Sequence, residues 1–250
     1  MQRNTWITSA RAVSAITRLA PGEEFPPTEL ALSYPNGLLA AGGGLAPERL
    51  VAAYRRGIFP WYEPPQPVLW WTPDPRSVLF LEDLHVSRSL RKTLRHANLQ
   101  LSVNRRFGSV MEACAGPRRD SDGTWIGDDM LQAYQALHRR GVAHSVEVLN
   151  AHGDLVGGLY GVAQGRAFFG ESMFSRVPSA SRIALVALVF MLRKAEFRLI
   201  DCQIESTHMN TMGASNISRL DFEAQLAHTV DQTVDPSIWA LPTHCGDLLP

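Results

Sequence analysis

Three strand-like runs in the second half of the chain constrain its fold more than any other feature. HSVEVLN, LVGGLYGVAQ and RAFFGESMF are separated only by AHGD and by Gly165. Runs this close, broken by turn residues, predict an antiparallel meander. SASRIALVALVFMLRKAEF follows, with an apolar stretch from Ile183 to Leu192 bracketed by Arg182 and Arg193. That stretch is too short to span a bilayer and predicts a buried core helix. RLIDCQ then reads as a short strand leaving the helix. Meander, helix and strand in that order confine the chain to an α+β layer arrangement.

The first half carries helical signals. Pro47 suits a first helical position and Gly57 a stop, which predicts a helix in LAPERLVAAYRRG. Asn36-Gly37 predicts a tight turn. SRSLRKTLRH, FGSVMEACA and DMLQAYQALHRR read as helices, the last capped by Asp128. Ser218 with Asp221 predicts a capping box for a final helix. Between these lies GIFPWYEPPQPVLWWTPDPR, whose prolines exclude an interior helix or a central strand. The proline ends near Asp74 to Arg76, where SVLFL begins, so residues 1–74 are expected to form a small N-terminal domain and 75–250 a larger one. Trp70 and Trp71 are expected to wedge the two together, leaving Trp61 displayed.

Charge and cysteine usage narrow the function. Lys and Arg number 24 and Asp and Glu 24, so attraction to nucleic acid or membrane must come from a local patch. Cys114, Cys202 and Cys245 form no C-x-x-C pair, which argues against a disulfide framework or a cysteine-rich zinc site. No continuous apolar leader opens the sequence, so a soluble cytoplasmic protein without a membrane partner is expected. P-loop, G-x-S-x-G and H-E-x-x-H patterns are absent.

Three groups of residues could carry chemistry. Arg88, Arg91, Lys92 and Arg95 share one helical face, and no Asp or Glu occurs from Leu84 to Met111. A charge run is ordinarily a solvated face, but one without acidic partners favours phosphate. Asp201 and Gln203, two apart on a strand, are expected on the same side, as a satisfied polar pair or as groups that relay a proton and orient an amine. Glu171, among apolar neighbours in FFGESMF, needs either an ion pair or a cationic ligand. The meander-helix-strand order is also that of Gcn5-type N-acetyltransferases. Their glycine-rich pyrophosphate loop is replaced here by RVPSASRIA, which argues against a rival reading as an acetyl-CoA enzyme. A second rival is a non-catalytic RNA-binding module, in which Asp201 and Gln203 would be dispensable.

PNGLLAAGG, GIFPWY, LWWTPDPR, GTWI, HSVEV, GGLYGVAQGRAFFGESMFS and LIDCQ, in that order from about Phe25 onward, resemble the leucyl/phenylalanyl-tRNA–protein transferase family. The resemblance implies an aminoacyltransferase that moves Leu or Phe, and possibly Met, from aminoacyl-tRNA to the N-terminal Arg or Lys of an acceptor protein. The acceptor is thereby marked for N-end-rule degradation. It implies a small N-terminal domain packed on a Gcn5-related-acetyltransferase-like domain, a monomer, and no ATP, metal or other cofactor. Residue by residue, Asp201 and Gln203 match the pair assisting attack by the acceptor amine, and Glu171 the glutamate near it. Leu159, Phe168 and Ile200 match the apolar side-chain cavity; Trp61, Trp125 and Tyr54 the surroundings of the terminal adenosine; Arg88, Arg91, Lys92 and Arg95 the tRNA-binding cluster. The chain departs from the family at Leu159, often Met; at Ser206 and Thr207 before His208; and at His96, where a strong base is expected.

Overall fold

In a computed structural model describing residues 16–116 and 126–248, the chain forms two sheets, and the strands of one end before those of the other begin. The first is built from β1 (Thr17–Leu19), β2 (Leu38–Gly42), β3 (Phe59–Pro60) and β4 (Leu69–Trp71), with α1 (Pro47–Tyr54) between β2 and β3. Its order is β1-β2-β4-β3, so Pro60 falls on an edge strand, where a missing N–H breaks no ladder. Gly37, at φ 86°, supplies the left-handed turn into β2.

The second sheet has seven strands. It opens with β5 (Arg76–Phe80), α2 (Arg88–His96), β6 (Gln100–Val103), α3 (Phe107–Ala115) and α4 (Asp128–Arg139). The meander is β7 (Ala143–Leu149), β8 (Leu155–Gln164) and β9 (Ala167–Ser175), paired antiparallel as expected. Next come α5 (Ala180–Lys194), β10 (Leu199–Gln203), the single turn α6 (Thr207–Asn210), β11 (Ser215–Ile217) and α7 (Arg219–Thr229). The strand order is β11-β5-β10-β9-β8-β7-β6, and the crossover through α5 returns β10 parallel to β9.

The apolar content of α5 decides the layering. Ile183, Ala184, Leu188 and Leu192 are fully or almost fully buried against one face of the sheet, together with Leu90 and Leu94 of α2. The opposite face packs on α3, α4 and the small sheet through a continuous core containing Tyr54, Phe59, Tyr134, Phe169 and Phe222. The result is an α+β arrangement, as the sequence implied, with the small sheet packed on one face of the larger one.

Two local expectations need correction. Asp128 is the first residue of α4 rather than its cap; Gly127 holds that place without a side-chain bond. Trp70 is no inter-domain wedge, because β4 is an interior strand whose alternation turns this ring into the small sheet's own core. There its indole N–H donates to the Gly42 carbonyl (2.8 Å) and its ring meets Phe25 edge-on. Trp71 points the other way and donates its N–H to the Trp61 carbonyl.

Candidate active site

β9 and β10 are paired only from Ala167–Leu199 to Phe169–Asp201. Beyond that point β9 follows β8, while β10 breaks register between Asp201 and Gln203. The parting strands open a cavity of about 550 Å³ floored by α5. Leu159, Phe168 and Ile200 line its apolar part, as expected from sequence, together with Leu185, Leu188 and Met209, which carry no signal in the sequence beyond their apolar character. Glu171, Gln203, Glu205 and His208 give it a polar part, and Trp61 stands at its wall with 40% of its surface exposed.

The polar part is organised around Glu171. Tyr54 donates to its Oε1 (2.7 Å), Tyr134 to its Oε2 (2.9 Å) and the Gln203 side-chain amide to its Oε1 (3.1 Å). Burial pushes the Glu171 carboxyl up to about 7; the two tyrosine hydroxyls oppose the rise, the Asp201 charge adds to it, and Gln203 opposes it. A carboxyl near neutrality is suited to exchanging a proton in either direction. Burial, followed by the Glu171 charge, holds both tyrosines well above their ordinary value, so they remain neutral donors.

Asp201 behaves differently from the expectation of a proton acceptor. It has no exposed surface, and Arg76 grips it in a fork, Nε to Oδ1 (2.8 Å) and Nη2 to Oδ2 (2.7 Å). Phe59 and Phe222 cover the guanidinium from 4.9 and 4.5 Å. Asp201 and Gln203 do not simply share a strand face either, because the bulge and a φ of 64° at Gln203 break the alternation. Instead, Asp201 Oδ1 accepts the Gln203 backbone N–H (2.9 Å), which sets the bulge that turns the amide towards Glu171.

Tyr54, matched by sequence to the adenosine surroundings, is wholly buried and reaches the site only through Glu171. Trp125 lies outside the described residues. Ser206 has a structural use: its hydroxyl caps α6 by accepting the Met209 N–H. His208 is half-buried, and burial followed by Arg182 pushes its imidazole below the ordinary value. Arg88, Arg91, Lys92 and Arg95 are exposed on α2, and none forms an ion pair among the described residues. His85 N–H, just before that helix, bonds the Met212 carbonyl beyond α6.

At the start of α5, the Ser181 N–H donates to Ser175 Oγ (2.8 Å), and Ala180 packs so tightly on Gly157 that a Cβ there would lie 2.3 Å away. The Ser181 N–H is thus engaged within the protein, as is the Ala180 N–H, which donates to the Val177 carbonyl. No group of three His, Cys, Asp or Glu converges for a metal among the described residues, and no helix among them is long and apolar enough to cross a membrane.

A cleft between parting strands, apolar inside and carrying a carboxylate–amide pair, is the candidate site, and the matches to known families define the chain as a transferase. The chain belongs to the leucyl/phenylalanyl-tRNA protein transferase family: that family model matches residues 78–227 and its N-terminal-domain model residues 43–74. A leucyl/phenylalanyl-tRNA–protein transferase of Pseudomonas entomophila is 61% identical over 83% of this chain and 92% of its own length. That of Pseudomonas aeruginosa is 58% identical over 84% and 92%. Among solved structures, a GCN5-related N-acetyltransferase-like protein from Streptococcus suis overlaps 72% of this chain and 67% of its own, at 11% identity and a TM-score of 0.33. The chain is thus an aminoacyltransferase of a family that transfers Leu or Phe from tRNA to proteins.

Proposed function

We propose that this enzyme joins Leu or Phe from the 3′ end of aminoacyl-tRNA to the α-amine of proteins beginning with Arg or Lys, marking them for degradation. One observation carries this reading: the same cavity holds an apolar end formed by Leu159, Phe168 and Ile200 and a carboxylate–amide end formed by Glu171 and Gln203. The apolar end takes the aminoacyl side chain, each buried methylene contributing about 0.8 kcal/mol. Its shape disfavours β-branched residues.

The ester of aminoacyl-tRNA is already activated, so the enzyme needs to position two substrates and manage one proton. The acceptor nitrogen attacks the ester carbonyl; a C–N bond forms, the C–O bond breaks, and the tRNA 3′-oxygen leaves with a proton. Gln203 orients the amine and Glu171, poised near neutrality, takes its proton. Asp201 acts through Gln203 as a positioning residue. Trp61 offers its ring to the terminal adenosine, and the Arg88–Arg95 face meets acceptor-stem phosphates. The test is incubation of the enzyme with radiolabelled Phe-tRNA and a protein bearing N-terminal Arg. Label in the acceptor's first peptide bond is expected, and unlabelled acceptor overturns the reading.

A further inference from the structure

Trp61 separates two cavities. Beside the reaction cavity lies a second cleft of about 400 Å³, walled by Trp61, Tyr62, Glu63, Leu69, Trp71 and Pro35. Trp61 and Ile204 border both, so the clefts adjoin just past the Gln203 bulge. The Trp61 and Trp71 rings stand 5.8 Å apart at 56°, an angled aromatic wall fixed by the Trp71 N–H bond to the Trp61 carbonyl. Glu63 is the charged residue of this wall. It is exposed, and among the described residues its carboxylate has neither an ion pair nor a hydrogen bond; its backbone N–H and carbonyl are both engaged by Gln66.

Aromatic faces with one free carboxylate and no basic side chain along the described wall repel phosphate and attract a cation. We propose that this cleft receives the cationic side chain of the acceptor's N-terminal Arg or Lys. The charged head lies against Trp71 and pairs with Glu63, while the α-amine reaches Gln203 and Glu171 on the other side of Ile204 and Trp61 keeps its reaction-cavity side for the adenosine. This rests on the aminoacyl-transfer reading above and says how the acceptor is chosen. A long unbranched stem is what the geometry demands, because the head and the reacting amine occupy adjoining cavities. An acceptor with a short or neutral first side chain leaves the aromatic wall and Glu63 without a partner. No bond is made or broken in this cleft.

The experiment measures initial rates with saturating Phe-tRNA and peptides beginning with Arg or with citrulline, its neutral isostere. The wild-type enzyme, Glu63→Gln and Glu63→Lys are compared. The expected result is a preference for Arg over citrulline, an acceptor KM raised about two- to fivefold by Glu63→Gln and further by Glu63→Lys, and a reduced Arg-to-citrulline ratio in both variants. The KM for Phe-tRNA and the melting temperature stay at wild-type values. Quenching of tryptophan fluorescence by the Arg peptide without tRNA weakens in parallel. An acceptor KM unmoved by Glu63→Lys overturns the proposal, and so does a change confined to the Phe-tRNA KM, which would place a nucleotide in the cleft. Wild-type enzyme that transfers nothing to any peptide removes the aminoacyl-transfer reading itself, whereas normal transfer with an unmoved Arg-to-citrulline ratio removes only the cleft assignment.

Discussion

Arg76 holds Asp201 through two parallel hydrogen bonds, and neither side chain has exposed surface. The guanidinium enters the first strand of the large sheet directly after the proline-rich segment. It ties the small sheet, through Phe59, and the last helix, through Phe222, to the strand that carries Gln203. Asp201 in turn fixes the Gln203 backbone. The ion pair is therefore the joint on which the placing of Gln203 against Glu171 depends.

Removing one partner of that pair strands a buried charge, at a cost of about 3–5 kcal/mol. Asp201→Asn and Arg76→Met are both expected to lose about that much stability in urea titrations. Asp201→Asn is also expected to lower kcat and to keep the pH-dependent limb but move it to lower pH, because Asp201 positions Gln203 and its charge is one of the causes that raise Glu171. Loss of the pH-dependent limb in Asp201→Asn would instead make Asp201 the proton acceptor.

Trp61 and Trp71 act as a unit, because the Trp71 ring and N–H both touch Trp61. Stacking of a base on an aromatic ring is worth about 1–3 kcal/mol. Trp61→Ala is expected to raise the KM for Phe-tRNA by about fivefold or more. Trp71→Ala is expected to give a smaller rise of the same kind as Trp61 loosens, and not solely a fall in melting temperature. Steady-state kinetics of both variants, beside their melting curves, separate loss of binding from loss of folding.

How much of this could be read from sequence depended on whether the cause was local. The meander and α5 were legible because their signals, strand-length runs broken by turns and a ten-residue apolar block, lie within each element. Leu159, Phe168 and Ile200 were found through family motifs, and all three line the cavity. Arg76 was missed as a site residue because its partner lies 125 residues away. Tyr134 carried no signal of its own within the helix DMLQAYQALHRR, although a buried tyrosine hydroxyl needs a partner and here finds Glu171. The Gln203 bulge was invisible because LIDCQ reads as a regular strand; its left-handed backbone depends on a bond to the Asp201 side chain. Trp70 was misplaced because loop-like proline density hid an interior strand.

The basic face of α2 is a separate module. Arg88 and Lys92 are exposed and lack ion pairs among the described residues, so changing them to Ala should alter stability by no more than about 0.5 kcal/mol. Every phosphate left unneutralised should reduce the slope of log affinity against log salt by about 0.9. The double variant Arg88→Ala, Lys92→Ala is thus expected to bind Phe-tRNA more weakly at low salt and to approach the wild type as salt rises. Equal salt slopes in the two proteins would remove this face from the tRNA site.

Glu171 gives the enzyme a pH dependence of definite sign. Its carboxyl is raised from 4.5 to about 7, chiefly by burial, so the folded protein binds more protons than the unfolded chain between those values. The group's contribution to stability is fully present below about pH 4.5 and is lost as pH rises through 7. Glu171→Gln is expected to flatten the fall in melting temperature across that window. The same residue should also set a rising limb in single-turnover transfer, because the carboxylate form takes the amine proton. Tyr134→Phe removes a donor that favours the carboxylate, so that limb should move to higher pH, while Glu171→Gln should abolish it and lower the rate. A limb that keeps its midpoint in both variants would have to be assigned to the acceptor amine, which titrates near 8.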